Sequence, residues 1–144
     1  MTAPVVDVRP VDLTRDPPPD VLRILRELRT HRTEAELASD VRAQAMTVGY
    51  RLFGAWSDGV LLGVLGCRRV RTIARGEHLH VDDLVVTASA RGRGIGAALL
   101  STIEAAARAD GCRSVFLDSR PEVLGFYASS GYAPHTAVLV RKPL

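Results

Sequence analysis

Apolar residues follow a period of two, or form short runs rich in β-branched side chains, in six segments of the chain. Both patterns are typical of β-strands. The predicted strands are Val5 to Val11, Tyr50 to Trp56, Val60 to Val70, His78 to Val86, Ser114 to Asp118 and Thr136 to Arg141. Asp58-Gly59 is a hairpin signal, so the three central strands are expected to form an antiparallel meander.

Four other segments carry the 3.6-residue spacing of amphipathic helices. Asp20 is the predicted N-cap of a first helix that runs through Leu28, and a second helix is predicted from Thr33 to Met46. The third has Ile95, Leu99, Thr102, Ile103 and Ala106 on one face and closes at Gly111, and the fourth spans Glu122 to Ser129. Because the third helix lies between two predicted strands, it is expected to be a right-handed crossover that joins parallel neighbours.

The composition predicts one folded domain over residues 1–144. Hydrophobic residues at 47% and charged residues at 24% match an ordinary globular protein. Cys67 and Cys112 form no CxxC pair and are interpreted as small buried hydrophobes. Met1 to Pro10 lacks the features of a secretory signal, and no stretch reaches transmembrane length. We therefore expect a cytoplasmic protein that does not associate with membranes.

The net charge of +3 comes from arginines spread along the chain, and aromatic residues make up only 5%. A nucleic-acid platform combines clustered basic residues with stacking aromatics, and neither pattern is present. The charge distribution favours an anionic small molecule over nucleic acid.

The segment Arg91-Gly92-Arg93-Gly94-Ile95-Gly96 stands between a predicted strand and the third helix. A helix N-terminus presents unpaired N–H groups and partial positive charge, which suit a phosphate. Glycines let the backbone approach such an anion, and the two arginines add charge. By pattern alone, this loop either binds a phosphate or merely joins the two elements.

Two other nucleotide motifs fit the loop less well. It lacks the Lys-Ser/Thr ending of a Walker A motif. Its spacing is GxGxG rather than the GxGxxG of dinucleotide-binding folds, and only Asp118 could serve as the ribose-binding acid. A nucleotide-binding module is the weaker reading.

The same loop, preceded by Leu84-Val85-Val86 and followed by Leu99-Leu100, resembles the acetyl-CoA motif of the GNAT superfamily. Arg91, Gly94 and Gly96 stand at the defining places of its R/Q-x-x-G-x-G/A pattern. A second block, Phe126 to Tyr132, resembles the family's FYxxxGF segment. The two blocks occur in the expected order and at the expected distance.

The resemblance implies an α/β (α+β) fold with a mixed, centrally splayed sheet flanked by about four helices. It also implies acetyl-CoA as cosubstrate. The pantetheine arm would pair with the backbone of Leu84, Val85 and Val86. The backbone amides from Gly92 to Gly96, which include that of Ile95, would hold the pyrophosphate. The side chains of Arg91 and Arg93 would add positive charge beside it.

At the thioester, the acceptor amine must lose a proton before it attacks. Asp82 and Asp83 are candidate bases, and strand alternation predicts that they point to opposite faces unless a bulge intervenes. A solvated strand end or a salt bridge explains them equally well. The resemblance assigns Tyr127 as proton donor to the departing thiolate, although Tyr127 could also simply pack beside Phe126.

The chain departs from the family pattern at two places. Arg120 stands where an Asn often bonds the cofactor arm, and Val123 stands where Ala is usual. His78, His80 and Asp82 alternate along one strand and could share a face, as in a metal site. They are more typical of a substrate-lining surface, and no metal is expected.

The expected function is transfer of an acetyl group from acetyl-CoA to a primary amine by direct attack. The acceptor could be a small molecule or a protein amine, and a polycationic antibiotic is not specially favoured. The alternative is a non-catalytic sensor of acyl-CoA. The exposed edge at Thr136 to Arg141 indicates a possible homodimer.

Overall fold

A computed structural model describes residues 5–144 of the protein, so Met1 to Pro4 lie outside the described residues. The strands are β1 (Asp7–Pro10), β2 (Arg51–Ser57), β3 (Val60–Thr72), β4 (Gly76–Val86) and β5 (Val115–Leu117). The α-helices are α1 (Pro19–Leu28), α2 (Glu34–Thr47), α3 (Ile95–Ala109) and α4 (Leu124–Ser129). Within residues 5–144, no helix is long and apolar enough to cross a membrane.

The strands form one sheet in the order β1-β2-β3-β4-β5. Neighbours are antiparallel except β4 and β5, which are parallel and joined through α3. The predicted meander and the predicted crossover helix are therefore both present. The mixed fold expected from the sequence is confirmed.

Local sequence explains most of the helix boundaries. Thr33 and Glu36 form a capping box at the start of α2, each side chain bonding the other residue's backbone N–H. The helix α1 begins at Pro19 rather than after Asp20, because proline suits the first turn of a helix and Asp20 can follow it there. The predicted fourth helix begins later, at Leu124, after a 3₁₀ turn over Pro121–Val123.

The predicted strand at Thr136 to Arg141 is wrong. This segment has no regular structure, and the side chains of Val138, Leu139 and Val140 are 82%, 81% and 86% exposed. An apolar, β-branched run becomes a strand only when a partner strand accepts its hydrogen bonds. Within residues 5–144, no strand pairs with this segment.

Two buried clusters cover the opposite faces of the sheet. One lies under α1 and α2, and the other lies under α3. The first contains Val21, Ile24, Leu25, Leu37, Val41, Tyr50, Leu52, Val64 and Val85. The second contains Phe53, Leu65, Cys67, Leu79, Val81, Ile95, Leu99, Leu100 and Ile103. The sheet is thus the middle of three layers, as buried mixed sheets require.

A β-bulge in β4 changes which face its residues point to. Gly66 of β3 lies opposite Asp83, and the next residue, Cys67, lies opposite Val81, so Asp82 is an extra residue without a partner. Val81 consequently packs under α3, whereas Val85 packs under α1 and α2. Without the bulge, residues four apart on a strand would face the same side.

Candidate active site

The central feature of the site is a gap between β4 and β5. These strands pair at only three positions, ending with Val81 opposite Leu117. Beyond that pair, β4 continues to Val86 while the chain after β5 turns away. Among the described residues, no strand pairs with the outer edge of β4 from Asp82 to Val86. Its backbone groups on that side are available to a ligand.

A cleft of about 850 Å³ fills this gap. Its walls are the outer part of β4, the loop before α3, the segment after β5 and one side of α4. Of the residues predicted to form the site, it brings together Asp82, Asp83, Leu84, Val85, Val86, Arg91, Gly92, Gly94, Ile95, Gly96, Arg120 and Tyr127. Arg93 belongs to the same loop but does not line the cleft.

The loop before α3 has the geometry of an anion site. Gly92 and Gly94 both have φ near +79°, in the left-handed region, and a Cβ at either position would meet only open space. Gly94 is the N-cap of α3. The first N–H groups of that helix therefore face the cleft with the positive end of the helix dipole. Arg91 donates to the carbonyl of Val86 at 3.3 Å, which fixes the loop to the end of β4.

Gly96 has a different role from the other two glycines. It is buried inside the first turn of α3, and a Cβ there would lie 2.8 Å from Cζ of Phe126. The absence of a side chain lets α4 approach α3 closely. Because Tyr127 follows Phe126 on α4, this contact also sets the position of Tyr127.

Glu27, near the end of α1, anchors the other side of the loop. Its carboxylate accepts hydrogen bonds from Oγ1 of Thr87 at 2.7 Å and from the N–H of Ala88 at 3.2 Å. These residues connect β4 to the glycine-rich turn. Sequence reasoning missed Glu27, since nothing local marks a residue 60 positions away from its partner.

Asp83 is held in a closed network of side chains. Its carboxylate accepts from Nε and Nη2 of Arg29 at 3.0 and 2.7 Å, and from the Tyr50 hydroxyl at 2.6 Å. Arg29 also donates to the backbone carbonyl of Asp82 at 3.1 Å. A Cβ on Gly66 would collide with the Tyr50 hydroxyl, so this glycine makes room for the network. Burial and the neighbouring Asp83 carboxylate raise the pKa of Tyr50 well above its ordinary value.

Asp82 has a more open environment. Its carboxylate accepts from Nε of Arg68 at 2.9 Å, and its other oxygen lies 3.9 Å from Nε2 of His80. Arg68 is two residues beyond Gly66 on β3, so both face α1 and α2. The two carboxylates therefore lie on the same face of the sheet, and the alternation that predicted opposite faces is broken by the bulge.

Tyr127 lines the cleft from α4. Its ring makes edge-to-face contacts with Phe126 and Tyr132, at centroid distances of 5.0 and 6.0 Å. Burial raises the pKa of Tyr127, and the charge of Arg120 opposes part of that shift. The phenol therefore keeps its proton at neutral pH, as a proton donor must.

The remaining candidates are placed as follows. Arg120 is an exposed side chain at the rim of the cleft, 3.9 Å from Glu122, and Val123 lines the cleft beside it. His78 is buried, and its Nδ1–H donates to the carbonyl of Gly76 at 3.0 Å. Within residues 5–144, no group of three or more His, Cys, Asp or Glu side chains is arranged to hold a metal ion.

Sequence comparison places this site in a known family. Residues 19–132 match the family model described as "Acetyltransferase (GNAT) family". The chain is 34% identical over 119 residues to glucosamine 6-phosphate N-acetyltransferase of Trypanosoma brucei brucei, covering 76% of this chain and 80% of that protein. It is also 45% identical over 53 residues to glucosamine 6-phosphate N-acetyltransferase 1 of rice, Oryza sativa subsp. japonica. That shorter match covers 37% of this chain and 32% of the rice protein, so the chain spans about a third of that relative's length.

Comparison with solved structures shows that N-acetyltransferases have the same fold as this protein. The protein is similar, with a TM-score of 0.81, to an aminoglycoside N-acetyltransferase solved in complex with CoA. The match covers 99% of this chain and 97% of that one at 17% sequence identity. The family resemblance, the acetyl donor and the class of reaction expected from the sequence are all confirmed by the family match. The chain belongs to the acetyltransferase (GNAT) family.

Proposed function

We propose that this protein transfers an acetyl group from acetyl-CoA to the primary amine of an anionic small molecule by direct attack. The observation that carries the proposal is the unpaired edge of β4, which leads straight to the open glycine-rich start of α3. An extended arm that carries a pyrophosphate at one end fits such a path. No covalent intermediate on the enzyme is needed.

The cofactor contacts follow from this path. The backbone of Leu84, Val85 and Val86 pairs with the pantetheine arm. The amides from Gly92 to Gly96 bind the pyrophosphate at the N-terminus of α3. Positive charge at the two sides of this opening comes from Arg91 and Arg120, and Arg93 adds charge from the same loop as Arg91.

The thioester then lies where β4 and β5 separate. Tyr127 lines this part of the cleft and donates a proton to the departing thiolate. Of the two carboxylates, Asp82 is the one positioned to act on the acceptor amine. Asp83 already accepts three hydrogen bonds from Arg29 and Tyr50, which leaves it a structural role.

Charge beside the cleft favours an anionic acceptor. A neighbouring groove of about 1370 Å³ shares Leu117, Asp118, Ser119 and Tyr127 with the cleft. The charged residues in its wall are Arg75, Arg108, Arg113, Glu104 and Asp118, together with His80 and His135. The three arginines suit a phosphate better than a polycation such as an aminoglycoside. An amino sugar phosphate, the acceptor in the names of the trypanosome and rice relatives, is the first candidate.

The test compares two acceptors that differ only in one phosphate. Glucosamine 6-phosphate and glucosamine are each offered with acetyl-CoA, and release of the CoA thiol is measured. One bidentate arginine contact contributes roughly 1.5–3 kcal/mol, so kcat/KM for the phosphorylated sugar should be about 10- to 100-fold higher. Equal values would refute an anionic acceptor. An aminoglycoside and a peptide with a free N-terminus complete the panel, and CoA binding with no turnover on any of them would favour the sensor.

We also propose that the protein forms a homodimer through its C-terminal segment. The support is the apolar, exposed run Val138 to Val140 beside β5, a short edge strand. Light scattering should give a mass of two chains. Removal of residues 136–144 should then give a monomer, and a monomeric full-length chain would contradict the proposal.

A further inference from the structure

His80 lies at the point where β4 and β5 begin to separate. It pairs with Phe116 one position before the last β4–β5 pair, and its side chain is only 16% exposed. Its Nε2 is 3.6 Å from Oδ2 of Asp118 and 3.9 Å from Oδ1 of Asp82. The segment that carries Asp118 forms part of both the cleft and the neighbouring groove. An imidazole that lines the groove and a carboxylate that lines the cleft thus converge with Asp118, which lines both.

These separations are too long for direct hydrogen bonds. Both carboxylate oxygens lie close enough to Nε2 of His80 that one small donor placed beside these atoms reaches all three at about 3 Å. A primary ammonium has three N–H donors and one positive charge, which match two carboxylate oxygens and one imidazole nitrogen.

We propose that His80 is the catalytic base of the reaction, and that Asp82 and Asp118 hold the acceptor ammonium against it. This inference rests on the proposed function. The two carboxylates on β4 are already engaged by arginines. Asp82 is ion-paired with Arg68 at 2.9 Å, and Asp83 with Arg29 at 2.7 Å. Nε2 of His80 instead lies beside two carboxylate oxygens, at 3.6 and 3.9 Å.

The proton balance is complete with groups already named. The ammonium gives one proton to Nε2 of His80, and the neutral amine attacks the thioester carbonyl to form the C–N bond. The tetrahedral intermediate then breaks its C–S bond, and Tyr127 protonates the departing thiolate. The nitrogen loses its second proton as the amide forms. This second proton restores Tyr127, and the first proton passes from His80 to solvent.

Charged groups from each neighbouring element bear on His80. They are Asp82 on β4, Arg68 on β3 and Asp118 after β5. Phe116 shields His80 from Arg75, whose guanidinium carbon lies 4.3 Å from the centroid of the Phe116 ring. Histidine in such a setting is the most frequent general base near neutral pH.

The test is His80→Gln, assayed with acetyl-CoA and the best acceptor of the amine panel over a range of pH. At neutral pH, kcat/KM should fall about 100-fold or more, the usual contribution of a general base. Toward pH 9.5 the acceptor arrives already neutral, so the variant should recover to within about tenfold of the wild type. A uniform loss at every pH, or no loss, would overturn the assignment.

Two controls separate the possible failures. The Kd for CoA should be the same in His80→Gln and the wild type, which shows that the cleft is intact. Asp118→Asn should raise the KM for the acceptor about tenfold with a smaller change in kcat, because it weakens ammonium binding rather than proton transfer. If the wild type acetylates no amine, the proposed function fails. If the wild type is active and His80→Gln matches it, only the role of His80 fails.

Discussion

Gly94→Ala isolates the contribution of the left-handed turn to cofactor binding. Gly94 has φ of +79°, and the space around its missing Cβ is empty, so the substitution introduces no clash. Its cost is conformational: an L-residue in the left-handed region is less stable than glycine by about 1–2 kcal/mol. The turn must either keep this strain or relax out of the shape that directs the first amides of α3 into the cleft.

The two responses have different measurable results. If the turn relaxes in the free protein, restoring it on binding costs the same 1–2 kcal/mol, and CoA binds about 5- to 30-fold more weakly. If the turn keeps its shape, the strain appears as lower stability, roughly 3 to 8 °C in Tm. Because residues 91–94 are exposed and nothing packs around the missing Cβ of Gly94, we expect most of the cost in the Kd, measured by isothermal titration calorimetry.

Gly111→Ala is the matched control. Gly111 follows the other end of α3, with φ of +80° and the same empty surroundings, but it lies outside the cleft. Its substitution should lower Tm by a similar few degrees and leave the Kd for CoA unchanged. Unchanged affinity together with an unchanged Tm in Gly94→Ala would refute the strain argument, and unchanged affinity with a lower Tm would contradict the expectation that the turn relaxes. Equal losses of affinity in both variants would refute the anion-site reasoning, because they would reflect general destabilisation.

Three further predictions concern the rest of the site and its core. Tyr127→Phe should lower kcat about 10- to 100-fold with little change in the Kd for CoA, as steady-state kinetics and calorimetry can measure; equal kcat values would leave Tyr127 a packing residue. Gly96→Ala should lower Tm in the wild type, because the added Cβ lies 2.8 Å from the Phe126 ring, but it should raise Tm in a protein that also carries Phe126→Leu. Additive effects of the two substitutions in this double-mutant cycle would contradict the contact. Stability should fall as pH rises from about 9 to 11, since burial raises the pKa of Cys67 to about 11 and also raises that of Tyr50. The unfolded chain ionises these groups first and is favoured at high pH, so Cys67→Ala should make urea unfolding less dependent on pH over this range.

The sequence predicts those parts of the site that depend on local pattern. The glycine-rich turn requires only residues next to one another, and both its conformation and its place before α3 agree with the prediction. Tyr127 follows from a short block of the same kind. The failed strand at Thr136 to Arg141 shows the limit of this reasoning, because a strand pattern says nothing of the partner that must complete the ladder.

The orientation of the two aspartates depends on distant residues, which is why alternation failed there. The bulge at Asp82 becomes visible only once Gly66 and Cys67 are set opposite β4. The network that holds Asp83 joins residues 33 and 54 positions away in the chain, Tyr50 and Arg29. No local pattern marks an arginine at the end of α1 as a contact of β4. Only the packing of α1 across the sheet brings the two together.

This network also holds the exposed edge of β4 in place. A strand edge with unpaired backbone groups would ordinarily be expected to recruit a partner or to collapse against its neighbour. Here β4 is secured from its other side, by the ladder to β3 and by Arg29, which binds both the Asp83 carboxylate and the Asp82 carbonyl. Two features of the site meet at the bulge. It lies where the pairing of β4 with β5 ends, immediately beyond Val81, and it turns Asp82 to the same face of the sheet as Asp83, so the exposed strand edge and the shared face of the two carboxylates both coincide with one extra residue.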